Sequence, residues 1–278
     1  MTLYINCDDN PITFNKKNYL LRAAKRLGLV DVKDYREKHK DTPEYILNIE
    51  PCTIMTGAKW TGLWHIDVLL NNDKYAGAYP NMDKVYVSSN QGKYPLENTN
   101  VLFQACDSEL HRRDEKIEQE YDFVICGSNG GDIWNKREKA FKDLKDEGFK
   151  YYDYAKDNKP EVYVQNINHA KVQFIRTGEG DQGNGAVAQR FFECLAIGPV
   201  LTNYTHDIPL LGLVEGEDFM TYKTEHEMIY KMKLLIESET LRREIAKNGR
   251  QKALHYHSYE GRLVAVMNDI NDFISTTQ

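Results

Sequence analysis

The chain has 278 residues, 41% hydrophobic and 28% charged, the balance of a water-soluble globular protein with room for one large or two small cores. Its 36 lysines and arginines are outnumbered by 42 aspartates and glutamates, a net charge of −6. That argues against a surface built for nonspecific nucleic-acid binding. No apolar run approaches the roughly 20 residues that span a bilayer, and the opening MTLYINCDDNP lacks the basic and apolar regions of a signal peptide. The five cysteines are scattered without a C-x-x-C pair. Buried free thiols in a reducing, cytoplasmic compartment are therefore expected, and a zinc site is not.

In chain order, Leu3–Cys7 reads as an opening strand and Asn18–Leu29 as an amphipathic helix. Tyr45–Ile49, Trp64–Leu70, Lys84–Ser88 and Val101–Gln104 are further strand candidates of a small α/β layer with short or missing helices. The charged stretch Asp107–Glu120 shows no apolar face to bury and reads as an interdomain connection. Beyond it, strand and helix alternate. Tyr121–Cys126 is a β-rich run, Trp134–Glu147 a helix closed by Gly148, and Phe149–Tyr154 a strand. Glu161–Ala170 is helical, Lys171–Arg176 a strand, Ala186–Ile197 a helix stopped by Gly198-Pro199, and Pro199–Thr202 a brief buried strand. Two amphipathic helices, Glu225–Glu237 and Thr240–Tyr256, precede a last one from Ser258 to Ile274. Short connections of this kind make right-handed parallel crossovers, so a doubly wound α/β fold is predicted. The expected boundaries are 1–110 for an N-terminal domain and 120–257 for a C-terminal one, with 258–278 a helix packing back towards the first.

Ligands of open α/β sheets sit beyond the carboxyl ends of the strands. Two Gly-rich segments fall there, Gly127–Gly131 after the first strand of the second domain and Gly178–Gly185 after the strand ending at Arg176. Such loops bring backbone N–H groups close to phosphate oxygens, or are simply connectors. Neither fits the dinucleotide fingerprint G-x-G-x-x-G or the P-loop, which removes the main support for dehydrogenase and kinase readings. Glu193 stands inside the apolar run FFECLAIG. A glutamate there is costly unless partnered, and it either faces solvent or accepts hydrogen bonds from a diol.

The run from Gln189 to Thr202 resembles the group 1 GT-B glycosyltransferases, especially their short spore-maturation-like branch. Arg190, Glu193, Ala196 and Gly198 match the family's R-x-F-E-A-x-A-x-G in register. YDFVICGS, Arg137 in the next helix, HAKVQFIR, GEDFMTYKTEHEM and NGRQKALHYHSYEGR recur in the family's order. Upstream, GLWHIDVL, KVYVSS and LFQACDSELHR resemble N-domain strands ending in A-x-D-x-x-x-H/F, so the likeness spans roughly residues 44–265. It implies two Rossmann-like domains facing a central cleft and transfer of a sugar from a nucleotide-diphosphate donor, a UDP-sugar, to a hydroxyl. It also implies that Glu193 binds the donor ribose.

The donor-binding set expected from loops and resemblance together is Gly127, Ser128, Arg137, Arg176, Asn184, Gly185, Arg190 and Glu193, with Arg137 and Arg176 the candidates for the diphosphate. One departure stands out: larger members carry a first glutamate eight residues before the ribose-binding one, where this chain has Gly185. The chain contains no D-x-D motif. No metal is expected, cationic side chains and helix dipoles stabilising the leaving diphosphate, and the nucleotide sugar serves as co-substrate without a separate cofactor. For the acceptor, Asp8, Asp9 and Asp107 follow strands and His65 and Asp67 lie in the WHID segment, and His65 or Asp67 is the preferred base. Expected partners are the nucleotide sugar and an acceptor glycan, protein or modified DNA base, with no membrane insertion. The clusters Lys16-Lys17, His111-Arg112-Arg113 and Lys136-Arg137-Lys139 keep open a phage-type enzyme acting on a hydroxymethylated base. The missing first glutamate keeps open a non-catalytic sugar-nucleotide-binding module, and an epimerase on the same fold is a third reading.

Overall fold

A computed structural model describes residues 2–7, 16–29, 31–36, 43–49, 52–65, 77–89, 97–126, 135–153, 159–176 and 187–277. The chain divides into two compact units, Met1–Gln104 with Tyr259–Gln278, and Ala105–Ser258.

The first unit is built on a six-stranded parallel sheet in the order β2-β1-β3-β4-β5-β6. Its strands are β1 (Leu3–Asn6), β2 (Val32–Asp34), β3 (Tyr45–Ile49), β4 (Trp60–His65), β5 (Lys84–Val87) and β6 (Thr99–Val101). Every residue of β3 and β4 is buried, the signature of central parallel strands covered on both faces. Strand β4 begins four residues before the Trp64 expected from sequence, because Gly62 interrupts the apolar pattern. A β-carbon there would lie 2.4 Å from the Trp60 indole, so the ring itself fills the glycine's side-chain space. Strand β6 ends at Val101, where Val101–Gln104 had read as a strand. Leu102, just beyond the strand's end, is buried and still donates its N–H to the Val87 carbonyl of β5 at 2.9 Å.

Helix α1 (Lys16–Arg26) turns Tyr19, Leu20, Ala23 and Ala24 inward. Lys17 is fully buried and paired with Asp34 at 2.8 Å, so the Lys16-Lys17 pair is not a free cationic face. The C-terminal helix α7 (Tyr259–Thr277) belongs to this unit. Tyr259 packs between Tyr19 and Trp64, and the Arg262 guanidinium donates to the carbonyls of Phe103 and Gln104.

The second unit holds a five-stranded parallel sheet, β8-β7-β9-β10-β11. It comprises β7 (Tyr121–Cys126), β8 (Tyr151–Asp153), β9 (Ala170–Ile175), β10 (Val200–Asn203) and β11 (Met220–Tyr222). Its helices are α2 (Asn135–Asp146), α3 (Pro160–Asn168), α4 (Gln189–Leu195), α5 (Glu225–Glu237) and α6 (Glu239–Tyr256). On one sheet face Phe123, Ile125, Val172, Phe174 and Leu201 pack with Phe141 and Leu144 of α2 and Met228, Met232 and Leu235 of α5. The first strand, β7, is flanked by the second and third, so the order reverses between β7 and β9. In sheets of this order the ligand crevice lies at that reversal, beyond the carboxyl ends.

The stretch Asp107–Glu120, read from sequence as a connection, is folded into this unit. Asp107 and His111 are fully buried, and Arg113 donates to the Asn168 side chain at 3.1 Å and to the Ile117 carbonyl at 2.9 Å. Polar residues buried one at a time through hydrogen bonds leave no periodic trace. Five cysteines are free and buried, and among the described residues no helix is long and apolar enough to cross a membrane.

Candidate functional site

Helix α4 carries two buried polar side chains, Gln189 and Glu193. The helix starts after extended Ala188 and stops at Ala196 before Gly198-Pro199. Phe191 stacks edge-on against Phe219 and Phe192 lies over His257, whose Nε2 meets the Leu211 carbonyl at 2.9 Å. Helical spacing then brings Gln189 and Arg190, four and three residues earlier, alongside Glu193.

Glu193 is fully buried. Its Oε1 accepts from Gln189 Nε2 at 2.6 Å and lies 3.6 Å from His111 Nε2. Its Oε2 lies 3.6 Å from an Arg190 nitrogen and accepts no hydrogen bond among the described residues. Arg190 is held by its guanidinium 4.5 Å above the Tyr163 ring, while the Tyr163 hydroxyl meets Cys194 Sγ at 3.3 Å. Burial pushes both the Tyr163 hydroxyl and the Cys194 thiol well up, so both stay protonated and neutral. The carboxylate thus has one full hydrogen bond, two longer polar neighbours and an oxygen with accepting capacity in reserve.

The turn that delivers His111 is self-capping. Asp107 Oδ1 accepts from the N–H groups of Glu109 and Leu110, the His111 N–H bonds the Asp107 carbonyl, and the Asp107 N–H donates to His111 Nδ1 at 2.8 Å. Burial holds the imidazole below its ordinary 6.5, with Glu193 and Asp107 opposing and Arg190 reinforcing the shift. His111 is therefore neutral at pH 7. Since Nδ1 accepts, the proton sits on Nε2 and points its donor at Glu193. Because the folded value is depressed, this histidine contributes stability that is complete above about pH 6.5 and is lost as pH falls below it. We expect His111→Gln, which keeps a donor and an acceptor but cannot titrate, to flatten the loss of stability below pH 6.5 by up to about 1.4 kcal/mol per pH unit. Urea melts at stepped pH check this, and parallel slopes for both proteins would count against it.

A second feature sits at the carboxyl ends of β9, β10 and β11. There a cavity of about 500 Å³ is lined by Arg176, Asn203, Tyr204, Tyr222, Lys223 and the start of α5. Lys223 lies over the Tyr204 ring, and Lys139 is paired with Asp143 and Glu225. Arg176 thus stands at the strand-end position where a doubly wound sheet receives an anion.

Of the residues singled out from sequence, the structure clusters Arg190 and Glu193 and places Arg176 at the carboxyl edge. Arg137 lies in α2, its side chain outside the described set, as are Gly127, Ser128, Asn184, Gly185, Asp67, Asp8 and Asp9. His65 ends β4, fully buried, with Nδ1 against the Tyr79 hydroxyl. Gln189, His111 and Tyr163 were not singled out as site residues. Two of them had a readable signal: His111 completes A-x-D-x-x-x-H with Ala105 and Asp107, and Gln189 stands at i−4 to Glu193.

The glycosyl transferase-like family model matches residues 108–268. No curated protein matches the chain in sequence. Among solved structures, Anabaena HepE in complex with UDP and glucose aligns over 99% of both chains at 11% identity and a TM-score of 0.61. Sucrose-phosphate synthase from Thermosynechococcus elongatus aligns over 84% of this chain and 75% of its own, at 11% identity and a TM-score of 0.57. T4 phage BGT in complex with UDP and Mn2+ aligns over 97% of this chain and 99% of its own, at 13% identity and a TM-score of 0.58. At such identities these likenesses speak for the fold, two parallel α/β sheets of GT-B type.

Proposed function

We propose that this chain, which belongs to the glycosyl transferase-like family and is a GT-B glycosyltransferase, moves a sugar from a UDP-sugar to a hydroxyl acceptor without a metal ion. The observation that carries the donor assignment is Glu193, a fully buried carboxylate whose Oε2 accepts no hydrogen bond among the described residues. An anionic acceptor kept dry in this way suits a vicinal diol, each hydroxyl donating to a charged oxygen. Gln189 holds the carboxylate's other oxygen, His111 Nε2 lies 3.6 Å from that same oxygen, and Arg190, braced on Tyr163, keeps a positive charge beside it. Arg176 at the end of β9 and Arg137 in α2 are the proposed cations for the departing diphosphate, where fixed charge lowers the barrier to cleavage. His65 or Asp67 is the proposed base for the acceptor hydroxyl. Five buried free thiols fit a reducing, cytoplasmic setting.

The acceptor is proposed to be a glycan or protein hydroxyl. A DNA acceptor loses its sequence support in part, because Lys17, His111 and Arg113 are committed to internal contacts. The test is a thermal-shift screen against UDP-, GDP-, ADP- and TDP-sugars, in chelator and with added Mn2+, paired with release of UDP over time. A UDP-sugar is expected to raise the melting temperature in chelator and to be slowly hydrolysed. Stabilisation without turnover would favour the non-catalytic binding module. Dependence of both readouts on Mn2+ would refute the metal-free mechanism.

A further inference from the structure

A cavity of about 790 Å³ opens at the other edge of the second unit's sheet, against the amino ends of β7, β9 and β10. Its floor is apolar, made by Ile117, Ile197, Pro199 and Leu254, and one wall is a face of α6 bearing Arg243, Lys247 and Arg250. Most charges around it are committed. Glu115 faces Arg113 at 3.7 Å, Glu239 bonds Arg243 at 2.6 Å, Lys171 bonds Asp122 at 2.9 Å, and Arg242 donates to the Leu235 and Ile236 carbonyls that end α5. Lys247 and Arg250 have no carboxylate within ion-pair distance among the described residues, in a chain of net charge −6.

We propose that this cavity binds a small organic diphosphate, its phosphates on Lys247 and Arg250 and its uncharged body on the apolar floor. Residues three apart on a helix face stand about 5–6 Å from each other, which suits two linked phosphates. A guanidinium beside an ammonium pairs one planar fork with one point charge. The volume lies in the range of small-molecule sites, which bury an apolar body and fix it by a few placed polar groups. Its position at the amino edge separates it from the carboxyl-edge crevice, so it does not depend on the donor assignment.

The test is calorimetric titration of the full-length protein with inorganic pyrophosphate, with UMP, which carries no diphosphate, present to occupy the carboxyl-edge site. Wild type is expected to bind. Lys247→Gln/Arg250→Gln should weaken pyrophosphate binding at least about tenfold, and Lys247→Glu/Arg250→Glu should abolish it. Both double variants should keep the wild-type melting temperature and UDP affinity, whereas Glu193→Gln should lose UDP and keep pyrophosphate. No pyrophosphate binding to wild type at millimolar concentration, or equal affinity in all three proteins, would overturn the proposal.

Discussion

Replacing Glu193 by glutamine is expected to abolish UDP binding while leaving the fold nearly as stable as before. A hydrogen bond to a charged group contributes about 1.5–3 kcal/mol, so losing two from a ribose diol predicts a drop in affinity of roughly 10²–10⁴. The amide preserves shape and can still meet Gln189. The carboxylate it replaces is fully buried with one hydrogen bond of normal length, at 2.6 Å, so little net stability is forfeited with its charge. Arg190 retains its contact with the Tyr163 ring. Stability should change by no more than about 1 kcal/mol, the behaviour of a residue kept for a ligand at the expense of local satisfaction. Calorimetry with UDP and a thermal melt of the same sample separate the two effects. A large fall in melting temperature with unchanged UDP affinity would mean that Glu193 is a structural residue.

Gly249→Ala should be the most destabilising added methyl among the described glycines of the second unit. A β-carbon at this position of α6 would lie 2.3 Å from the Asp218 carbonyl oxygen and 2.6 Å from Leu195 Cδ1 of α4. Backbone cannot yield as a flexible side chain does, and Asp218 is anchored by its bonds to the Val214 N–H and to Lys252 Nζ. Overpacking of this kind costs typically 1–3 kcal/mol, and the backbone clash puts the expectation near 3 kcal/mol. For a domain of this size that is roughly 6–12 °C in melting temperature. Leu195 lies two residues beyond Glu193, so displacement of α4 should weaken UDP binding as well. Gly77→Ala, where no atom lies within 4 Å of the added carbon, is the control and should be close to neutral. Equal melting temperatures for the two variants would show that α4 and α6 are not in the close contact described.

Most of the second unit was legible in the sequence because its strands are short apolar runs punctuated by glycine and its helices carry regular apolar faces. Tyr121–Cys126 and Glu225–Glu237 fall where the pattern places them. The three-residue strands β2 and β11 were not legible, since VKD and MTY are too short to show alternation and owe their state to the neighbours they pair with. Trp60–His65 was displaced by a glycine whose missing side chain is replaced by a tryptophan ring. At the site, Glu193 was visible as a charge inside an apolar run, and Arg190 through the motif it shares. His111 was hidden inside a charged stretch. What makes it part of the cluster is a turn capped by Asp107 that brings it to within 3.6 Å of a residue 82 positions away by numbering (193 − 111), a long-range fact that no local window contains.

A crystal structure of the wild-type protein with UDP, grown in chelator, decides whether Glu193 receives the nucleotide. The expected result is a ribose whose hydroxyls donate to Glu193 and a diphosphate beyond the carboxyl ends of β7 and β9, near Arg176. A nucleotide bound elsewhere in the second unit, with Glu193 untouched, would contradict it.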